Sequence, residues 1–250
     1  MADMLRRDAA PGAIPPGRDG KTTMTYHLAG DSTVAPPQPA ELPLTGWGSY
    51  LTDHVDAPVR NLAFGGATTA SFVAAGSWRS LLSEVVAGDT VVIQFGHNDQ
   101  KDPALDARGG YRERLAGFVS DVRERGGIPV LCTSCERRWF DHDGDPERVV
   151  PTHGDYPNAV RDLAHELDVP LIDLTVFTTW LYEDLGPAAS RDLLTHFAPG
   201  EHPAWPDGVA DDTHFHERGA RRIAAFVARS LRAIERRDGD RPAKGSQLVS

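Results

Sequence analysis

The chain has 250 residues, with 26 Lys and Arg against 36 Asp and Glu, a formal charge of −10. Duplex nucleic acid and anionic membranes are recognised by clustered cations, so neither is expected as a partner. Apolar residues make up 40 % of the chain, enough for one ample core with roughly 70 % of the unfolded surface removed from water; the longest apolar run, Ile223 to Ala228, is far short of the about 20 residues of a membrane-spanning helix.

Residues 1–22 mix Pro11, Pro15 and Pro16 with Gly12, Gly17, Gly20 and charges, and show no hydrophobic period. They read as a flexible tail, and the scattered charges from Asp3 to Lys21 leave no room for a secretory segment, so a cytoplasmic location is expected. Short apolar runs follow near 25–30, 59–63, 90–95, 128–133 and 169–174, of the kind that suits strands buried on both faces. Between them lie helical periods. Tyr111, Leu115, Phe118, Val119 and Val122 share one face before Gly126-Gly127; Val160, Leu163, Ala164 and Leu167 form a second set; Ile223, Val227, Leu231 and Ile234 form the last, before a charged tail from Arg236. This alternation predicts one domain over 23–237, a three-layer α/β/α fold with a five-stranded, mostly parallel sheet, and a second flexible tail over 238–250. Cys132 and Cys135 are too few for a disulfide framework or, alone, for a structural zinc site. Following the fourth strand, they read as a redox pair or as two ordinary strand-end thiols.

In an open parallel sheet, ligands bind beyond the carboxyl ends of the strands, where the strand order reverses. The first run ends in Gly30-Asp31-Ser32-Thr33, the second in Phe64-Gly65-Gly66, the third in Gly96-His97-Asn98-Asp99, and Asp211-Asp212-Thr213-His214 comes just before the last helical period. Each block alone reads equally well as a turn or a helix cap. Together they meet the needs of acyl transfer to a serine. Ser32 can be the nucleophile, His214 its base and Asp211 the group that orients the base, one turn of chain placing Asp211 beside His214. The amides of Ser32 and Gly66 and the side-chain amide of Asn98 can serve as oxyanion donors, with Gly66 allowing close approach of backbone to substrate. His214 and His216 beside Asp211 and Asp212 also invite a metal reading, but further ligands would have to come from elsewhere, and none is assigned.

These four blocks, in order and spacing, resemble the SGNH or GDSL-like hydrolases. The further stretches Gln100-Lys101-Asp102-Pro103, Arg137-Arg138-x-Phe140 and Thr152-His153-Gly154-Asp155-Tyr156-Pro157 resemble their rhamnogalacturonan acetylesterase branch, over about residues 24–236. The resemblance implies a flavodoxin-like SGNH fold and Ser32, His214 and Asp211 as the triad, with Gly66 and Asn98 completing the oxyanion hole. It also implies hydrolysis of acetyl esters on a sugar, with an acetylated carbohydrate as partner and no cofactor or metal. Ala67 departs from the pattern: many relatives carry a polar or basic residue there.

Candidate substrate contacts are Asp31 and Thr33 beside the nucleophile, and Arg137 and Arg138, which follow the fourth strand and suit the carboxylate of an acidic sugar. His202 and Trp205 join them from a Pro- and Gly-rich loop that can wall the site. Rival readings are an esterase or thioesterase for longer acyl groups, an acetyltransferase with the same triad, and a non-catalytic carbohydrate-binding module.

Overall fold

In the computed structural model, which describes residues 24–39 and 41–239, the five apolar runs become β1 (Tyr26–Gly30), β2 (Val59–Asn61), β3 (Thr90–Gln94), β4 (Ile128–Cys132) and β5 (Leu171–Ile172). All pair in parallel in the order β2-β1-β3-β4-β5, with Leu28 opposite Val92 and Val92 opposite Val130. Successive side chains of a strand point to opposite faces, and all of these strands but the edge strand β2, where Arg60 is exposed, carry apolar residues on both. Ala29, Val91, Ile93 and Leu131 pack against α1 (Thr69–Ala74), α2 (Ser77–Glu84), α3 (Gly110–Glu124) and α4 (Tyr156–Glu166) through residues such as Phe72, Leu81, Phe118 and Leu163. Leu28, Val92, Val130 and Ile172 face α5 (Leu174–Ala189) and α6 (Glu217–Gly239) through Leu181, Tyr182, Ile223, Val227 and Leu231, with Trp47 beside them. The result is the expected three-layer α/β/α domain.

The strand order reverses between β1 and β3, the strands that end in the Gly-Asp-Ser and Gly-His-Asn-Asp blocks. The crevice that an open sheet offers to ligands therefore opens between those two blocks.

Several elements depart from the sequence expectation. The fifth strand stops at Ile172 because the Asp173 carboxylate accepts the Val176 N–H at 3.1 Å and starts α5. That helix is broken at Gly186, with φ +72, just before Pro187. The Pro- and Gly-rich loop carrying His202 and Trp205 is a loop, but it joins an antiparallel pair that the sequence did not suggest, β6 (Leu194–Phe197) with β7 (Val209–Phe215), in a sheet of its own. Gly126 takes φ +74 after α3, as the double glycine predicts. The last helix continues past Arg236 to Gly239, so the charged residues expected as a tail extend it; the tails at 1–22 and 240–250 lie outside the described residues. Cys132 and Cys135 are free and buried, and burial pushes both thiols far above their ordinary pKa, away from the thiolate that redox exchange requires. No helix among the described residues is long and apolar enough to cross a membrane.

Candidate active site

The nucleophile turn forms directly at the end of β1. The Asp31 carbonyl accepts the N–H groups of Val34 at 3.0 Å and Ala35 at 2.9 Å, closing a tight turn with Ser32 at its head. The Asp31 side chain is 0 % exposed and points inward. Its Oδ1 accepts the Thr33 N–H at 3.0 Å and hydroxyl at 2.8 Å, while its Oδ2 faces His97 Nδ1 at 3.3 Å. Burial alone would raise this carboxyl, but His97 and the Thr33 donors outweigh it and hold Asp31 below the usual carboxylate range. Asp31 thus ties the nucleophile turn to the loop after β3. Thr33, 1 % exposed, is locked between Asp31 and Gln94, and the Gln94 Oε1 in turn accepts the Trp47 indole N–H at 2.8 Å.

A second buried carboxylate holds the donor loops together. Asp99 Oδ1 accepts the Thr69 N–H at 2.8 Å and hydroxyl at 2.7 Å, and its Oδ2 accepts the Gly96 N–H at 3.1 Å. The start of α1, just after Gly65-Gly66, is thereby fastened to the segment that carries Asn98. Gly66 has φ +73, a conformation that L side chains rarely adopt, and the space where a Cβ would lie is empty out to 4 Å. Asn98 Nδ2 donates one hydrogen to the Ala67 carbonyl at 3.2 Å, and Lys101 Nζ donates to Asn98 Oδ1 at 3.0 Å. With the oxygen end clamped, the amide nitrogen has its second hydrogen left for a ligand. The Ala67 side chain is fully buried in the core, so in this chain the position packs and does not reach a ligand.

The third component comes from β7. Its pairing with β6 slips between Leu194 and Thr195: Thr195 lies opposite Asp211 and Leu194 opposite Phe215, so residues 212–214 bulge out of the ladder. Inside this bulge Asp211 Oδ1 accepts the N–H groups of Thr213 and His214, each at 2.8 Å, a local turn that swings the imidazole back beside its own carboxylate. His214 Nδ1 lies 2.7 Å from Asp211 Oδ2 and Nε2 lies 2.9 Å from Ser32 Oγ. The tautomer that satisfies both contacts carries its proton on Nδ1 and leaves Nε2 to accept from the serine hydroxyl. Burial lowers the His214 pKa, but Asp211, with Asp31 and Glu41 at longer range, outweighs burial and raises it above the ordinary imidazole value; Asp211 itself ends below its ordinary value despite burial. The neighbouring Asp212 points the other way, to Arg138 Nη1 at 2.6 Å and His196 Nε2 at 2.9 Å.

Ser32, Gly66, Asn98 and His214 border one cavity of about 640 Å³, walled by Phe64 and Leu44 and by Trp205 at the tip of a separate loop. The sequence-predicted residues divide accordingly. Ser32, Asp211, His214, Gly66, Asn98 and Trp205 are brought together. Asp31 and Thr33 do not reach the cavity, because both are buried beneath it. Arg138, 8 % exposed, is turned away: its guanidinium holds Asp212, the Ser190 hydroxyl at 2.8 Å and the Pro187 carbonyl, closing α5 onto the hairpin. His202 stacks on Phe197 with ring centroids 4.9 Å apart and is not part of the wall. The wall pieces at 35–38 and 41–46, including Glu41, were not anticipated; their signal is Pro36-Pro37 directly after the nucleophile turn.

Residues 28–222 match the model of the GDSL-like Lipase/Acylhydrolase family. The rhamnogalacturonan acetylesterase RhgT of Bacillus subtilis (strain 168) is 43 % identical over 216 residues, covering 86 % of this chain and 92 % of that protein. Among solved structures, the protein YxiM of Bacillus subtilis superimposes with a TM-score of 0.72 at 25 % identity, over 86 % of this chain and 57 % of that one. The acetylxylan esterase Axe2 from Geobacillus stearothermophilus superimposes with a TM-score of 0.57 at 17 % identity, over 83 % and 94 %, a likeness of fold.

Proposed function

This chain belongs to the GDSL-like lipase/acylhydrolase family, and we propose that it is a serine esterase that removes acetyl groups from sugar hydroxyls of rhamnogalacturonan-type pectic oligosaccharides. The observation that carries the reading is the unbroken line from Asp211 through His214 to Ser32, at 2.7 and 2.9 Å, beside Gly66 and Asn98. The acetyl and pectic character follows from the relative that is 43 % identical over nearly the whole chain and carries the name rhamnogalacturonan acetylesterase.

In this mechanism the Ser32 Oγ attacks the acetyl carbonyl carbon while His214 Nε2 takes the hydroxyl proton. The carbonyl oxygen becomes an oxyanion held by the N–H groups of Ser32 and Gly66 and by Asn98 Nδ2. Asp211 keeps the imidazole in the accepting tautomer and stabilises the imidazolium. When the intermediate collapses, the ester C–O bond breaks and His214 returns the proton to the departing sugar hydroxyl, leaving acetyl-Ser32. Water deprotonated by His214 then attacks the acetyl group, and acetate leaves as the proton returns to Ser32. Every step uses groups of this chain. Trp205 offers an apolar face at the cavity wall against which a sugar ring can stack.

The test is acetate release from acetylated rhamnogalacturonan oligosaccharides, run beside esters of longer acids and with free sugar as an alternative acceptor. Efficient release of acetate into water, together with covalent labelling by a serine-directed phosphonate, is the expected outcome. Preference for octanoyl over acetyl esters, acetyl transfer to sugar in place of water, or sugar binding without turnover would each replace the reading with one of its rivals.

The pH profile is a second expected result. Because His214 must be neutral to accept the serine proton, kcat/KM falls on the acid side as the imidazole protonates. Because its pKa is raised, the midpoint of that fall lies above the ordinary imidazole value of about 6.5. Initial rates across pH 5 to 9 check this, and a flat profile would remove His214 as the base.

A further inference from the structure

Four arginines among the described residues are not exposed: Arg112, Arg137, Arg138 and Arg161. Arg112, Arg138 and Arg161 each hold a carboxylate, on Glu166, Asp212 and Asp173, and Arg137 holds none. Taking a guanidinium partly out of water without an opposite charge is costly, so an unpaired, half-buried arginine beside a reaction site calls for an anion. Apart from Gln100, the side-chain contacts of Arg137 are to neutral groups and long: Nη1 to the Thr152 hydroxyl at 3.2 Å, the Thr152 carbonyl at 3.4 Å and His153 Nδ1 at 3.4 Å, and Nη2 to the His97 carbonyl at 3.5 Å. The adjacent Glu136 makes no ion pair with it: Glu136 Oε1 accepts the N–H of Arg137 at 2.9 Å and the N–H, at 3.1 Å, and hydroxyl of Thr152, so its charge and that of Asp31 act on the guanidinium only through space.

The outer end of the guanidinium is covered by Gln100. In the amide orientation that satisfies both groups, the Gln100 side-chain oxygen accepts from both terminal nitrogens of Arg137, at 2.8 and 2.9 Å. One oxygen seated between two guanidinium N–H groups occupies the place a carboxylate oxygen takes in a forked pair, and a charged carboxylate makes the stronger bond. Next in the chain is Lys101, exposed and without a carboxylate partner among the described residues, whose Nζ sits 3.0 Å from Asn98 Oδ1 at the cavity edge. Two unpaired cations thus flank the oxyanion residue in a chain whose net charge is −10.

We propose that Arg137 and Lys101 form a carboxylate subsite beside the ester site, in which a uronate carboxylate of the substrate displaces the Gln100 side-chain oxygen from Arg137. The proposal rests on the pectic esterase reading and adds to it the two residues that grip the acidic sugar chain by its charge. It also reconciles an acidic enzyme with a polyanionic substrate, since the local field at this rim opposes the net repulsion.

The experiment has two readouts. Binding of a short galacturonate oligosaccharide and of its methyl ester is measured by calorimetry for the unaltered protein, Arg137→Gln and Arg137→Lys. Acetate release is compared for acetylated substrates with free or methyl-esterified carboxylates. The expected result is about a tenfold to hundredfold preference for the free carboxylate in the unaltered protein, the range of a charged hydrogen-bonded contact. That preference should collapse in Arg137→Gln, be partly retained in Arg137→Lys, and weaken with salt. Equal affinity for acid and ester, or a preference that persists in Arg137→Gln, overturns the subsite. Carboxylate-dependent binding without acetate release leaves the subsite standing and overturns the esterase reading, so the two failures are distinct.

Discussion

Replacing Ser32 by Ala is expected to lower kcat for acetate release by about 10⁴-fold or more, since the serine, its base and the orienting carboxylate act as a unit. The loss is expected to be chemical. The Ser32 side chain is only half-buried, its one polar contact is with His214 Nε2 at 2.9 Å, and removing it leaves that nitrogen facing the cavity. The backbone N–H of residue 32 stays in place, held by the turn that the Asp31 carbonyl closes, so the oxyanion donors survive and a residual rate above that of water remains. Thermal unfolding should change by no more than about 2 °C, in line with a surface-type substitution. A folded Ser32→Ala protein that releases acetate within tenfold of the unaltered rate would exclude Ser32 as the nucleophile.

Asp211→Asn is expected to cost about 10³- to 10⁴-fold in kcat, through the tautomer of its neighbour. The carboxylate makes two kinds of contact. Oδ1 accepts two backbone N–H groups at 2.8 Å, which an asparagine oxygen can still do, so the bulge in β7 is retained. Oδ2 accepts from His214 Nδ1 at 2.7 Å; in the asparagine the amide nitrogen takes that place and is itself a donor. The imidazole then favours the tautomer with a bare Nδ1 and a proton on Nε2, which cannot receive the Ser32 proton. The substitution also removes the largest influence that raises the His214 pKa, so the acid limb of the residual activity should move to lower pH. A rate-pH series on Ser32-competent Asp211→Asn protein reads both effects. A loss below tenfold with the limb unmoved would mean that another group orients the base.

The sequence was most informative where function is carried by short pieces of backbone at strand ends. Gly30-Asp31-Ser32, Gly65-Gly66 and Gly96-His97-Asn98-Asp99 each lie at or just beyond the carboxyl end of a sheet strand, and parallel strands bring those ends to one rim whatever lies between them. Composition and periodicity sufficed for the three layers, because strands apolar on both faces must be covered on both.

Other choices depended on contacts between distant segments. Arg137 and Arg138 are adjacent and equally basic; one faces Gln100 and the His97 loop, while the other, at a tight turn in which the Trp139 N–H donates to the Arg137 carbonyl at 2.8 Å, is consumed by Asp212 and Ser190. The same division separates Asp211 from Asp212. Asp31 and Thr33 are as polar as any ligand-binding pair, but they are used up inside as the struts of the nucleophile turn. The proximity of Asp211 to His214 was readable from their spacing, whereas the means was not a helical turn but a bulge in an antiparallel pair whose partner strand, β6, lies before a loop of eleven residues, 198–208. By itself, then, the sequence determined the layered fold, the rim and the residue types able to act there, since these follow from local pattern and strand direction. Only the tertiary structure decided which of two neighbouring charges meets the residues of the site and which is consumed in packing, because that depends on which distant segments meet each side chain.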